Sequence, residues 1–216
     1  MTDRNIHGGD AAKSLVFTVR PLPISNGSSA CAAADNLRRS RLIFLSTALG
    51  AFLVTANVST MNVAFPDLEQ TFANTDRATL TWVLNAYTIS FAALLIPAGR
   101  LADRFGRRFT FMAGLSLFAF SSLLVGAAPT FPILVVARVT QGVGGALLTP
   151  ASLGLLLAGT AATERMTVVA KWGSLTALGV ATGPVLGALI VNSHGWRWAF
   201  IVLPPFCLLS YLTGKN

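Results

Sequence analysis

Long uncharged runs alternate with short charged clusters from residue 41 to the end of the chain. No Asp, Glu, Lys or Arg lies between Arg41 and Asp67, between Arg77 and Arg100, or between Arg108 and Arg138. The same holds between Arg138 and Glu164, between Lys171 and Arg197, and between Arg197 and Lys215. A charge at a bilayer centre costs about 2.5–3.5 kcal/mol on insertion scales, so repeated apolar runs without one mark membrane spans. The pattern predicts six transmembrane helices, over about 41–65, 79–99, 109–128, 132–158, 167–192 and 198–213. The sixth is the shortest and contains Pro204 and Pro205, which weaken any continuous helix. The fold class expected is an all-α membrane protein.

The first forty residues differ in kind. Residues 1–36 are rich in Ala, Ser, Asn and Gly without a sustained apolar period, and residues 1–40 are expected to form a flexible tail. The apolar stretch Leu15–Val19 is too short for the core of a cleavable signal peptide and runs into Arg20-Pro21.

Composition agrees with the pattern. Of 216 residues, 53% are hydrophobic and 11% charged, where soluble domains carry about 25% charged residues. Mean hydropathy is +0.65. Twelve spans at roughly 20 residues each would need about 240, so this chain alone is expected to hold one six-helix set, with residues 214–216 as a truncated end. Arg38, Arg39 and Arg41 precede the first span, Arg100, Arg104, Arg107 and Arg108 follow the second, and Arg165 follows the fourth. The opposite loops hold only Arg77 and Arg197. The positive-inside rule then places both termini in the cytoplasm, for a multi-pass protein of the cell's inner or plasma membrane. The net charge of +8 and the pI near 10.8 come mostly from these span-end arginines, which meet anionic lipid headgroups. Nucleic-acid binding is not needed to account for them.

No nucleophile elbow, P-loop or dinucleotide fingerprint occurs, and no Cys/His cluster has metal-ligand spacing. Neither catalysis, a cofactor nor a metal is expected. Cys31 and Cys207 fall in the tail and the sixth span and are not expected to pair.

The functional signal lies in polar and small residues at helical spacing. After the second span stands Gly99-Arg100-Leu101-Ala102-Asp103-Arg104-Phe105-Gly106-Arg107-Arg108. Its glycines permit a tight turn and close helix approach, and one carboxylate among four arginines invites a charge network. In the fourth span, Arg138, Gln141, Gly142, Gly145, Thr149 and Ser152 share one helical face. An arginine within a span faces the protein interior or a wet cavity as a rule. Snorkelling is the competing reading, but Gln141 carries the polar face deeper. In the fifth span, Gly179, Gly183 and Gly187 recur every fourth residue beside Pro184, a pattern for close packing and a bend. Asn57, Thr60, Asn62, Asn85 and Tyr87 add candidate pathway-lining groups in the first two spans.

These blocks resemble the major facilitator superfamily, and most closely its drug:proton antiporter branch with fourteen helices. The Gly99–Arg108 loop is similar to the signature between helices two and three, and Leu134–Ala146 to the fourth-helix motif. Gly179-Val-Ala-Thr-Gly183-Pro184-Val-Leu-Gly187 resembles the fifth-helix motif that marks antiporters. Asn62–Pro66, Trp82–Tyr87 and Gly195–Trp198 resemble further markers of the branch.

The resemblance implies one six-helix half of a transporter that exports drug-like molecules from the bilayer-embedded cell membrane with proton coupling. It implies a cytoplasmic gate at Gly99, Asp103, Arg104, Gly106, Arg107 and Arg108, and an antiporter hinge at Gly179, Gly183, Pro184 and Gly187. Asn57, Asn62, Asn85, Arg138 and Gln141 would belong to the translocation pathway. Two departures stand out. The branch has an aspartate nine residues before the helix-one proline, where this chain has Asn57, and no Asp or Glu lies within the six predicted spans. The second six-helix half would have to come from further sequence or from a homodimer partner. A six-helix membrane fragment or regulator that transports nothing is the alternative of a different class.

Overall fold

The computed structural model describes residues 27–215, with side chains from 41 to 213. Residues 1–26, most of the expected tail, lie outside the described residues. The chain divides into two units, Met1–Asn36 and Leu37–Asn216.

Every regular element among the described residues is helical. Helix α1 is Gly27–Thr71, α2 is Arg77–Leu80, α3 is Trp82–Phe105, α4 is Arg107–Ala127 and α5 is Phe131–Ala158. After a short 3-10 turn, Ala162–Glu164, come α6 (Arg165–His194), α7 (Trp196–Ile201) and α8 (Leu203–Lys215). Five stretches are long and apolar enough to cross a membrane: Arg41–Thr71, Arg77–Phe105, Arg107–Ala127, Phe131–Ala158 and Ala162–His194. They coincide with the first five predicted spans and run past them where terminal charges belong at the interface.

The sixth predicted span, 198–213, is not one continuous helix. Six residues of α7 and thirteen of α8 flank a break at Val202. Pro204 and Pro205 have no N–H to donate to Phe200 and Ile201, which removes the two bonds that would carry α7 into α8. Neither piece alone is long enough to cross the hydrocarbon core, and among the described residues only the five stretches above qualify.

Connections between helices are short and locally determined. Asp76 caps α2, accepting a hydrogen bond from Thr79 N–H at 2.9 Å, and bonds from the Thr79 side chain and backbone hold its carboxyl below the ordinary range. Gly106 alone joins α3 to α4 at φ 94°, and Gly195 alone joins α6 to α7 at φ 87°. Both conformations exclude ordinary L side chains, which is why these one-residue reversals are glycines.

Small residues let α5 settle between its neighbours. A Cβ on Gly144 would stand 2.8 Å from the backbone nitrogen of Phe118 in α4, and one on Gly142 would stand 2.6 Å from the Tyr87 carbonyl in α3. Two apolar clusters form the core. One gathers Met61, Leu68, Val83, Val125, Leu134, Trp196 and Phe200, and the other gathers Leu53, Val54, Tyr87, Phe111, Leu115, Phe118 and Leu148. Along α5 the first cluster holds Leu134 and Ala137 and the second holds Leu148 and Ala151. Arg138 and Gln141 fall between them, so the polar side chains sit where the two cores meet.

Candidate functional site

Arg138 and Gln141 lie three residues apart on α5 and therefore project from one face. Arg138 is 1% exposed and Gln141 is fully buried. Burial of this depth excludes snorkelling to the interface. The guanidinium is held from three sides. Its Nε donates to the Val83 carbonyl at 3.0 Å, and its Nη1 donates to Gln141 Oε1 at 2.6 Å. Its carbon sits 4.4 Å from the centre of the Tyr87 ring. Gln141 Nε2 passes the chain on to Ser122 Oγ at 2.8 Å, and Ser122 donates to the Phe118 carbonyl at 2.7 Å. One buried cation thus ties together α3, α4 and α5.

Only two ion pairs form among the described residues, Arg77–Glu69 and Arg107–Asp103, and neither involves Arg138. Its charge is balanced by a carbonyl dipole, an amide oxygen and an aromatic face. A desolvated cation over a ring gains about 2 kcal/mol, and hydrogen bonds to a charged group are worth about 1.5–3 kcal/mol each. Such partners offset a desolvation cost of several kcal/mol. Beside this network Asn57 is 1% exposed and Tyr87 2% exposed. Both amide atoms of Asn57 and the Tyr87 hydroxyl have no hydrogen-bond partner. The Tyr87 hydroxyl fits closely against α5, since a Cβ on Gly145 would stand 3.0 Å from it.

The other two expected pathway residues sit elsewhere. Asn62 and Asn85 are exposed, and Asn62 Nδ2 donates to the Val58 carbonyl of its own helix at 3.0 Å. The five pathway candidates therefore separate into a buried group of Asn57, Arg138 and Gln141 and an outward-facing pair.

The Gly99–Arg108 block spans the end of α3, the Gly106 reversal and the start of α4. Asp103 Oδ1 lies 3.6 Å from Arg107 Nη2, four residues on. Both side chains are largely exposed, so this pair contributes little to stability by itself. The other side of Arg107 makes the stronger contact: Nη1 donates to the Gly154 carbonyl at 2.7 Å. Gly154 lies in the last turns of α5, the negative end of its dipole, where a cation is favoured. A Cβ on Gly154 would stand 2.6 Å from Arg107 Cδ, so a larger residue there would make the flexible Arg107 side chain shift. Arg104 lies over the Phe105 ring at 5.5 Å, and Arg108 is exposed. Gly99 is not in tight contact, its nearest neighbour to a Cβ being Pro150 at 3.9 Å.

The fifth-span pattern forms a seam against α1. Gly179, Gly183 and Gly187 are buried, while the adjacent Pro184 is exposed. A Cβ on Gly183 would stand 2.7 Å from Ser59 Cβ and 2.9 Å from the Ala56 carbonyl, and one on Gly187 would stand 3.0 Å from Thr60 Cγ2. Two hydroxyls cross the seam: Thr55 Oγ1 donates to the Thr176 carbonyl at 3.1 Å and Thr60 Oγ1 to that of Gly183 at 3.2 Å.

Sequence reasoning missed Ser122, Gly154 and the Val83 carbonyl. Ser122 has an ordinary helical environment in sequence, Gly154 is one glycine among nineteen, and a backbone carbonyl leaves no trace in composition.

The profile of the Major Facilitator Superfamily matches residues 47–214. The chain is similar to the multidrug resistance protein Stp of Mycobacterium tuberculosis, at 36% identity over 82% of this chain and 33% of that protein. It is similar to the lincomycin resistance protein of Streptomyces lincolnensis, at 38% identity over 82% of this chain and 37% of that one. Likeness to the puromycin resistance protein pur8 of Streptomyces alboniger is 37% identity over 86% of this chain and 36% of the relative. The chain spans about a third of the length of these relatives. In fold it matches the inward-open xylose transporter XylE from E. coli, with a TM-score of 0.65 at 20% identity over 80% of this chain and 47% of that one.

Proposed function

Because the chain belongs to the Major Facilitator Superfamily, we propose that it forms the six-helix part of a transporter that exports small amphipathic, drug-like molecules. The drug-like class rests on the names of the resistance proteins it resembles. The exposed amides Asn62 and Asn85 line the pathway in this reading, with the loop after α3 on the cytoplasmic side. A second six-helix set, or a second copy of this one, completes the path across the membrane.

The observation that carries the reading is the Arg138 clamp. A fully buried guanidinium with no carboxylate partner is costly, and a hydrophobic residue would pack α3, α4 and α5 together at lower cost. Two of its three partners, the Val83 carbonyl and the Tyr87 ring, lie on α3, so a shift of α3 against α5 would change what holds the cation, while Gln141 moves with it on α5. The Arg107 contact with Asp103 and the Gly154 carbonyl would hold the same three helices at the loop end, and would have to break as that end opens. The glycine seam between α1 and α6 supplies a surface on which one helix can slide or bend.

Proton coupling, which the branch implies, finds no carrier in the buried network. Position 57 is an asparagine, and Asp67, Glu69, Asp76, Asp103 and Glu164 all lie toward helix ends or in loops. We therefore place the protonatable carboxylate of any coupled mechanism away from the buried Arg138 network, at a helix end or in further sequence.

The test is efflux of a fluorescent amphipathic dye from vesicles carrying the transporter in its full-length context. Asp103→Asn and Arg138→Ala are each expected to abolish efflux while membrane insertion and yield stay intact. Wild-type efflux by both variants would overturn the assignment and favour a six-helix membrane protein that moves nothing.

A further inference from the structure

A cleft of about 520 Å³ runs between α4 and α8, lined by Leu115, Ala119, Pro204, Pro205, Leu208 and Tyr211. Its walls are almost wholly apolar. None of the proposed pathway residues lies on either helix. The two helices run antiparallel. Gly126, near the end of α4, packs against Ile201, while Leu115 and Ala119 face Cys207 to Tyr211. The Tyr211 end of the cleft therefore points toward the start of α4, where Arg107 and Arg108 stand.

These two arginines are not equivalent. Arg107 is committed to Asp103 and the Gly154 carbonyl. Arg108 is exposed and takes part in neither ion pair among the described residues. It precedes Leu115 by seven residues, two helical turns, which puts it on the same face of α4 about 10 Å nearer the membrane surface. An apolar cleft within the hydrocarbon layer thus ends below an uncommitted cation at headgroup depth.

We propose that this cleft is a binding site for an anionic phospholipid, with one acyl chain between α4 and α8 and its phosphate on Arg108. The acyl chain matches the apolar walls and the arrangement along α4 matches the order of tail and headgroup in a lipid. The Pro204-Pro205 pair, which interrupts the sixth element, forms part of the wall.

The experiment uses the full chain in nanodiscs containing either phosphatidylglycerol or phosphatidylcholine with a photoactivatable diazirine in the middle of one acyl chain. After illumination, lipid adducts are mapped by peptide mass spectrometry. The wild-type chain is expected to carry phosphatidylglycerol adducts on residues 115–119 and 208–211, about fivefold above phosphatidylcholine. Arg108→Gln is expected to equalise the two lipids while labelling continues. Ala119→Trp, which fills the cleft, is expected to remove labelling by both, with unchanged helical circular dichroism. Equal labelling of the wild type by the two lipids would overturn the headgroup assignment. Absence of lipid adducts on residues 115–119 and 208–211 of the wild type would overturn the site.

Discussion

Arg138 and Tyr87 illustrate how much depends on shape at a single position. The guanidinium forks between a carbonyl and an amide oxygen while lying flat over a ring. A lysine ammonium keeps the charge but cannot satisfy that geometry. Arg138→Lys is therefore expected to lower the thermal unfolding midpoint in detergent and to impair efflux. Tyr87→Phe keeps the ring under the cation and removes a hydroxyl that has no partner, so its midpoint should stay level or rise. Tyr87→Leu removes the ring as well, and should cost about 2 kcal/mol. A Tyr87→Phe midpoint as low as that of Tyr87→Leu would mean that the hydroxyl, not the ring, supports the charge. Arg138 and Gln141 were legible in the sequence because a charge and an amide interrupt an apolar run at helical spacing. Their partners were not. Val83 contributes only a carbonyl, and Ser122 lies on another helix.

Among whole helices, glycines decide which pairs lie close and which merely pass. A Cβ at Gly142 would meet the Ser90 hydroxyl and the Tyr87 backbone, neither of which is the free end of a flexible chain. Gly142→Ala is expected to push α3 from α5 and reduce the yield of folded protein several-fold, as an overpacking change does. Gly99→Ala meets only Pro150 at ordinary van der Waals distance and should leave yield unchanged, although both glycines stand in family-like motifs. Size-exclusion profiles of the two variants decide the point. The five observed spans could be read from the spacing of charges, whereas the sixth expected span is found as two short helices. The break at Val202 could be anticipated only as a weakness, from two adjacent prolines. Sequence spacing located the small-residue stripe of α6. That it packs on Phe52, Ala56 and Thr60 of α1 depends on tertiary pairing, which a single helix pattern does not encode.

Across the whole molecule, burial is uneven. The most hydropathic windows of α4 and α5 are 50% buried, against 22% for those of α3 and α6. Arg138, Gln141 and Ser122 thus sit on two of the best-enclosed helices, while α6 meets α1 along its glycine seam. This arrangement bears on how the protein is made. As an isolated insertion segment, α5 carries a penalty for Arg138 of up to about 3 kcal/mol on translocon scales. The chain delivers α3 and α4 to the membrane before α5 emerges, so Val83, Tyr87 and Ser122 already await the cation when it arrives. Glycosylation-site mapping should accordingly find α5 inserting inefficiently alone and efficiently behind α3 and α4, with the benefit lost when Tyr87 and Ser122 are both changed to alanine. Equal insertion of α5 in every context would show that the membrane accepts this arginine without help. If the benefit is found, the order of helices along the polypeptide is itself part of what keeps a charged residue in the bilayer, and exchanging α3 with α6 would impair biogenesis even where every final contact could form.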